Sequence, residues 1–252
     1  MPSLPTWRRI GDNTSLAAIP DHQPSPAMFI GHYSAAFAAK RIAPALPLPL
    51  LFIACQIIDI VWGALVLAGV EKLRIVPGFT ASNDLDLYYM PYTHSLSSAL
   101  AWSLGAALLC WLATPGSAAR LRTAVVVGVT VSSHWTLDLL VHVPDLPLWF
   151  DSMKVGLGWW NYRIFALVLE LALLWLAMAF CLPVAGAARK KYLALGGVMS
   201  ALQVVSLLHQ PPEAASVAQQ LLLSYLALSA AAWWIEKTST ASTAGTAPAA
   251  QR

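Results

Sequence analysis

Six long apolar segments constrain the possible fold of this chain more than any other feature of its sequence. A helix needs about 20 predominantly apolar residues to cross a bilayer, and lipid offers no water to irregular backbone. We therefore predict an all-α fold, a polytopic transmembrane helical bundle with about six spanning helices. The expected spans are residues 49–70, 94–113, 122–142, 164–185, 192–209 and 216–235.

The composition also favours a membrane protein and argues against other classes. Of the 252 residues, 58% are hydrophobic and only 11% are charged, whereas a soluble domain has about 25% charged residues. The net charge of +3 is small and its basic residues are spread over short loops, which does not indicate nucleic-acid binding. Cys55, Cys110 and Cys181 each stand alone in an apolar segment, so we expect neither disulfides nor a thiolate zinc site.

The two ends of the chain differ from the central transmembrane domain, which we place at residues 28–236. Residues 1–27 are polar and lack the apolar core of a signal peptide, and residues 237–252 are low-complexity, so both are expected to be disordered. Residues 28–42 predict a short helix that PALPLP (44–49) ends. That helix rises only ~22 Å, so it could be re-entrant, interfacial or a thin spanning segment.

Basic residues are distributed unequally between the two sets of loops, and this predicts the orientation in the membrane. Loops 71–93 and 143–163 would face the periplasm or cell exterior, and the opposite side the cytoplasm of a bacterium, with the chain in its inner membrane. Both outer loops are rich in Trp, Tyr and Asp, which is typical of a substrate entrance or of an interfacial aromatic belt. The predicted cytoplasmic set is Lys40, Arg41, Arg120, Arg122, Arg189, Lys190, Lys191 and Lys237, and the outer set is Lys72, Arg74, Lys154 and Arg163.

The strongest local signal is SHWTLDLLVH at 133–142. His134, Asp138 and His142 are spaced at i, i+4 and i+8, so on a helix they form one stripe. Intramembrane ionisable residues are costly and usually face a polar cavity or each other. Imidazole nitrogens and carboxylate oxygens suit zinc, iron or manganese, so we predict a divalent metal site, most simply for zinc. The alternative is that each side chain makes only a packing hydrogen bond.

Helix depth predicts that further ionisable residues join this stripe. Asp138 lies ~24 Å and His94 ~28 Å from the cytoplasmic ends of their helices, and Glu170 ~10 Å below the outer end of its own. His32 and Asp59 are both ~17 Å from the turn at 44–48, which places them side by side in a helical hairpin. Asp59 could instead make a helix-packing hydrogen bond, and Glu170 could simply face water.

These residues, in this order, resemble the bacterial membrane-bound metal-dependent hydrolases of the YdjM type. The resemblance covers residues 28–236, and AAKRIAP, PYTHSL and GLGWWN look like an uncharacterised branch of that family. Better-known members have Asp-x-Asp where this chain has Asp59-Ile60-Val61, and an additional His where it has Tyr89. The motifs that carry the resemblance are Gly31-His32, Asp59, Thr93-His94-Ser95 and Ser133-His134-x3-Asp138.

The resemblance implies metal binding by five side chains and a remote likeness to zinc-dependent phospholipases C and single-strand nucleases. The two departures imply fewer ligands, and hence an open position for water. The stripe adds His142 as a sixth candidate ligand. The metal ligands so implied are His32, Asp59, His94, His134 and Asp138.

Three functions are compatible with these observations. The first is a hydrolase that cleaves a phosphoester or acyl-lipid substrate with metal-activated water, in which Asp138 or Glu170 acts as general base. The second is a structural or regulatory membrane protein with a vestigial site. The third is a metal or proton transporter in which the same residues form a relay. In all three the lipid bilayer is the expected partner.

Overall fold

A computed structural model describes residues 30–116, 118–206 and 213–244 of the chain. The predicted all-α bundle is present, with seven α-helices among the described residues. The helices are α1 (Tyr33–Ile42), α2 (Leu48–Leu67), α3 (Leu96–Ala113), α4 (Arg120–Val141), α5 (Arg163–Cys181), α6 (Arg189–Ser206) and α7 (Ala214–Ala244).

Five of these helices, α2, α3, α4, α5 and α7, are long and apolar enough to cross a membrane. Their outer surfaces expose large apolar side chains such as Leu104, Leu176 and Leu223. A soluble protein rarely exposes apolar surface of this extent, whereas a bilayer covers it. The predicted span 192–209 falls on α6, which begins with three basic residues and is less apolar than the other five helices of this length. Residues 207–209 of that span lie outside the described ranges.

Loops 71–93 and 143–163, for which the sequence analysis predicts no strands, each form an antiparallel β-hairpin. Strands β1 (Lys72–Ile75) and β2 (Leu85–Tyr89) pair in the first loop, and β3 (Leu146–Trp149) and β4 (Ser152–Val155) in the second. Apolar residues from both hairpins, including Leu73, Leu85 and Leu146, pack with Trp62 of α2. The hairpins therefore rest directly on one end of the helix bundle.

Short helix α1 lies inside the bundle, packed against α2, α4 and α5. Its side chains Tyr33, Ala36 and Phe37 are completely buried. At ten residues it is only ~15 Å long, so it does not cross a hydrocarbon core by itself. Of the three possibilities left open by the sequence, burial within the bundle excludes an interfacial helix and fits a re-entrant segment.

The basic residues predicted to be cytoplasmic gather at the end of the bundle opposite the hairpins. Lys40 forms an ion pair of 2.6 Å with Glu236 near the end of α7, and Arg122 at the start of α4 donates to the carbonyl of Ile42. Lys191 at the start of α6 donates to Thr238. These contacts join the ends of α1, α4, α6 and α7.

The ends of the chain complete the comparison with the sequence. Residues 1–27 and 245–252 lie outside the described ranges. Helix α7 continues to Ala244, so the helix ends later than Lys237, where the sequence analysis begins a disordered tail. The run of Ser, Thr and Ala after Lys237 does not break a helix that the apolar residues before it have already formed.

Candidate metal centre

A group of buried histidines and aspartates lies where α2, α4 and the segments before α1 and α3 meet. The side chain of Asp59 comes from α2, and those of His134 and Asp138 from successive turns of α4. His32 directly precedes α1 and His94 directly precedes the N-cap of α3. The five residues that the family resemblance singled out are thus brought together, although the chain separates them by up to 106 positions.

Donor atoms of these side chains lie at distances that suit a shared cation. The Nε2 atom of His134 is 3.2 Å from Asp138 Oδ2 and 3.3 Å from Asp59 Oδ1, and His94 Nε2 is 3.2 Å from Asp59 Oδ1. Ligands bound to zinc at about 2.0–2.2 Å in a tetrahedron would be roughly 3.3–3.5 Å apart. Two overlapping groups could hold a metal ion, His32–His134–Asp138 and Asp59–His94–His134.

The hydrogen bonds of His134 establish which ring nitrogen is free. Its Nδ1 lies 2.8 Å from the carbonyl oxygen of Cys55, and a carbonyl can only accept, so Nδ1 carries the proton. A ring with this single proton presents the Nε2 lone pair to Asp59 and Asp138, as a metal ligand would, whereas a second proton on Nε2 would make an imidazolium paired with both carboxylates. Nε2 makes no hydrogen bond, and neither does Asp138 Oδ2. A lone pair and two carboxylates facing each other in a buried site repel unless a cation or proton lies between them.

His142 stands at the edge of the centre rather than within either group. Its Nε2 is 3.8 Å from Asp138 Oδ1, and its Nδ1 is 2.8 Å from Asp145 Oδ1. His142 lies just beyond the last residue of α4. Burial lowers the pKa of its imidazole, but the Asp145 and Asp138 carboxylates raise it, and the net shift is upward. His142 is thus held beside the centre by Asp145.

The remaining histidine of the centre, His32, is coupled to both α4 side chains. Its Nε2 lies 3.0 Å from Asp138 Oδ1, and its ring stacks on that of His134 with centroids 4.1 Å apart. Its Nδ1 makes no hydrogen bond. The ring therefore directs one nitrogen at the Asp138 carboxylate, and one of its flat faces lies against the ring of His134.

A small cavity of about 30 Å³ adjoins the centre. One water molecule needs roughly 10–15 Å³ of such space, so the cavity has room for an ion with one or two waters but not for an acyl chain. Tyr225 of α7 donates to Asp59 Oδ2 at its edge. Leu85 and Leu87 of β2 and Trp160 of the loop after β4 also line it, on the side of the hairpins.

Glycine at position 156 lets the second hairpin close against the end of α4. A Cβ there would meet the carbonyl oxygens of Val143 at 2.2 Å and His142 at 2.4 Å. The following residues donate back to the helix end, Leu157 N to Leu139 O and Gly158 N to His142 O. These bonds satisfy carbonyls that a helix terminus leaves unpaired, and they fix the backbone that carries His142.

Glu170, which the sequence analysis considered as a general base, is buried on α5 but does not line the cavity of the centre. Its carboxylate accepts from Ile30 N at 3.2 Å, two residues before His32. It borders a separate cavity of about 10 Å³ with Ser82 and Gln203, and Trp160 forms a wall of both cavities. The described contacts therefore connect Glu170 to the backbone ahead of His32 rather than to the centre itself.

Sequence reasoning missed several polar residues around the centre: Asp145 and Tyr225, which bond to His142 and Asp59, and Glu71, which bonds to Thr93 beside His94. The interval His142-x2-Asp145 is a usable signal, since residues three apart at a helix end can contact one another. Tyr225 and Glu71 gave no usable signal in the sequence, because a single Tyr in an apolar run and a single Glu in a loop are common.

In comparisons with family models, curated proteins and solved structures, nothing matches this chain.

Proposed function

We propose that this protein is an integral membrane metal-dependent hydrolase that cleaves a phosphoester or acyl-lipid substrate. One observation carries the proposal: the free Nε2 of His134 and the oxygens of Asp59 and Asp138 converge beside a cavity of about 30 Å³. Two carboxylates and neutral imidazoles have a net charge that a divalent cation cancels. This agrees with the resemblance to the YdjM-type hydrolases, which rests on the same residues.

The residues that would hold the cation are Asp59, His94, His134 and Asp138, with His32 completing the shell. A nitrogen–oxygen donor set favours zinc and also accepts manganese or iron. When bound, such an ion lowers the pKa of its water and polarises a phosphoryl or acyl oxygen. Tyr225 fixes the Asp59 carboxylate by donating to its Oδ2.

Of the two carboxylates considered as the general base, only Asp138 borders the cavity. We therefore assign Asp138 as the general base: the carboxylate oxygen that does not hold the cation would accept the proton of the attacking water. In the hydrolysis, the water oxygen bonds to the phosphorus or acyl carbon and the bond to the ester oxygen breaks. The proton then passes to the departing oxygen, which leaves as the alcohol.

The walls of the cavity favour an approach of the substrate from the hairpin side. Leu85 and Leu87 of β2 line it there, and the cavity is too small for a lipid tail. Only the scissile group would reach the centre, while the rest of the substrate stays at the membrane surface or among the outer loops.

We further propose that six helices cross the membrane. Helix α6 starts beside the end of α7, where Tyr192 donates to Glu236, whereas α7 starts among the hairpins, where Val217 packs with Leu73. The chain must therefore pass from one end of the bundle to the other through α6, whose 18 residues rise ~27 Å. The basic end would face the cytoplasm of a bacterial inner membrane.

The proposal is tested by metal analysis and a substrate screen on detergent-purified protein. Phosphoester and acyl-lipid substrates are assayed before chelation, after chelation and after zinc is restored, with His94→Ala as the inactive control. We expect turnover that disappears with the metal and returns with it. A wild-type protein that holds metal yet cleaves neither substrate class would contradict a hydrolase.

The small, covered cavity also favours a second candidate, a structural metal that ties α2 and α4 together. In that case chelation would lower the thermal unfolding temperature in detergent, because binding energy becomes folding energy. Both candidates predict that stabilisation, but only the hydrolase predicts turnover.

A further inference from the structure

We propose that Glu71 is a positioning residue of the metal centre, which acts through Thr93 to fix the ring of His94. The inference rests on the proposed metal centre, because it takes His94 as a ligand. Glu71 lies in the outer loop between α2 and β1, and it does not line the cavity of the centre. Its effect must therefore pass through other residues.

The Glu71 carboxylate is buried and accepts three hydrogen bonds from the segment before α3. Tyr92 N and Thr93 N donate to its Oε1 at 2.7 and 3.1 Å. The hydroxyl of Thr93 donates to its Oε2 at 2.6 Å. One side chain of the loop therefore holds both the backbone and the hydroxyl that directly precede His94.

The protons available to the hydrogen bonds that link Glu71, Thr93 and His94 determine which nitrogen of the neutral His94 ring is protonated. The Thr93 hydroxyl has one proton, and that proton is used on Glu71, since a carboxylate only accepts. The contact of 2.8 Å between Thr93 Oγ1 and His94 Nδ1 is then a bond donated by Nδ1. In the neutral ring that metal binding requires, His94 Nε2 is then left with its lone pair directed at Asp59 Oδ1, 3.2 Å away.

The other contacts of His94 fix its backbone but not its tautomer. Trp135 Nε1 donates to the His94 carbonyl oxygen at 2.9 Å, and His94 N donates to the carbonyl of Met90. Among the contacts found for the described residues, only Thr93 engages Nδ1. Partners of this kind set the orientation and basicity of a metal-binding histidine, and their loss typically costs 10–100-fold in metal affinity.

Replacing Glu71 by Gln should reverse the direction of the proton chain. The carboxamide that replaces the carboxylate can donate to Thr93 Oγ1, which frees the hydroxyl proton to point at His94 Nδ1. That arrangement favours the tautomer with its proton on Nε2, which opposes metal binding. Thr93→Val removes the acceptor for Nδ1 at nearly constant volume, whereas Thr93→Ser keeps it.

The test measures Zn²⁺ affinity by chelator competition and the absorption spectrum of the Co²⁺-loaded protein, in full-length chain purified in detergent. Asp86→Asn is the matched control. Asp86 is a buried acid on strand β2 of the neighbouring hairpin, where it pairs with Arg74 at 2.5 Å. Its replacement leaves the hydrogen bonds from Glu71 through Thr93 to His94 intact. Thermal unfolding of the metal-free variants shows whether they fold equally well.

We expect Glu71→Gln and Thr93→Val to weaken Zn²⁺ binding about 10–100-fold and to alter the Co²⁺ spectrum. Thr93→Ser and Asp86→Asn should bind like the wild type. If Glu71→Gln fails to fold, the contrast between Thr93→Val and Thr93→Ser decides. Wild-type affinity in Thr93→Val or in a folded Glu71→Gln would overturn the positioning role alone, whereas absence of metal binding by the wild type would overturn the proposed centre as well.

Discussion

Asp59 and Asp138 are the residues whose burial most requires compensation. Charged carboxylates inside a membrane protein are costly unless they are paired. Here the ion-pairing side chains that face them are imidazoles rather than Lys or Arg, and the Tyr225 hydroxyl also donates to Asp59. For His134, Nδ1 is bonded to the Cys55 carbonyl, so Nε2 is the nitrogen that faces them. In the metal centre proposed above, a divalent cation between Nε2 and the carboxylates would compensate their charge.

At Glu170 the structure leads to a different expectation from the role of general base, in which Glu170→Gln would keep the metal and lose turnover. The amide oxygen of Gln can still accept from Ile30 N, and the side chain does not border the cavity. We expect Glu170→Gln to retain both metal and turnover, and Glu170→Ala, which removes the acceptor, to weaken metal binding. A loss of turnover on the order of 10²-fold or more in a metal-loaded Glu170→Gln would restore Glu170 as the general base.

The residues of the candidate centre were predictable because ionisable residues stand out within apolar segments. Helical spacing placed His134 and Asp138 on one stripe, and helix depth placed His94 beside it. Depth placed His32 and Asp59 side by side, and the family resemblance added both to the ligand set. The supporting residues were not predictable in this way. Glu71 and Asp145 lie in loops, where charged residues are ordinary, and only their three-dimensional contacts distinguish them.

At the scale of elements, the hairpin loop after β4 is held to the end of α4 by a close backbone approach at Gly156. We expect Gly156→Ala to destabilise the protein by about 1–3 kcal/mol, as overpacking does, because the methyl group would meet backbone carbonyls that cannot rotate away. The measurement is thermal unfolding in detergent.

The matched control is Gly105→Ala on α3, where a Cβ meets nothing within 4 Å. It should be neutral or slightly stabilising, because Ala is the better helix former. Equal unfolding temperatures for Gly156→Ala and the wild type would show that the loop adapts, and that it does not fix His142.

The helices were predictable from apolar runs, with ends close to those observed: the run 49–70 corresponds to Leu48–Leu67, and 94–113 to Leu96–Ala113. Pro49 lies in the first turn of α2, where a missing N–H is tolerated, and Ser95 caps α3 by accepting from Ser98 N. The hairpins were missed because the composition of the loops was considered rather than their alternation. Strand β2, Leu-Asp-Leu-Tyr-Tyr, does begin with such an alternation.

For the whole molecule, the basic residues at one end of the bundle predict the orientation. Single cysteines at Ala81 and Ser152, both exposed on the hairpin side, should react with membrane-impermeant maleimide in intact cells. Cysteines at Ala118 and Ala187, exposed at the opposite end, should react only after lysis. Each single cysteine is introduced into a cysteine-free variant in which Cys55, Cys110 and Cys181 have been replaced. The reverse labelling pattern would show that the orientation in the membrane is opposite to the one predicted.

The most direct test of the account is the metal content of the detergent-purified protein, measured by elemental analysis. We expect a stoichiometric divalent metal in the wild type, and its loss in both His134→Ala and Asp138→Ala, because each removes a donor from the centre of the cluster. His22→Ala and His209→Ala, which change histidines that are not candidate ligands, should keep it. Full metal content in both cluster variants, or none in the wild type, would contradict the metal centre.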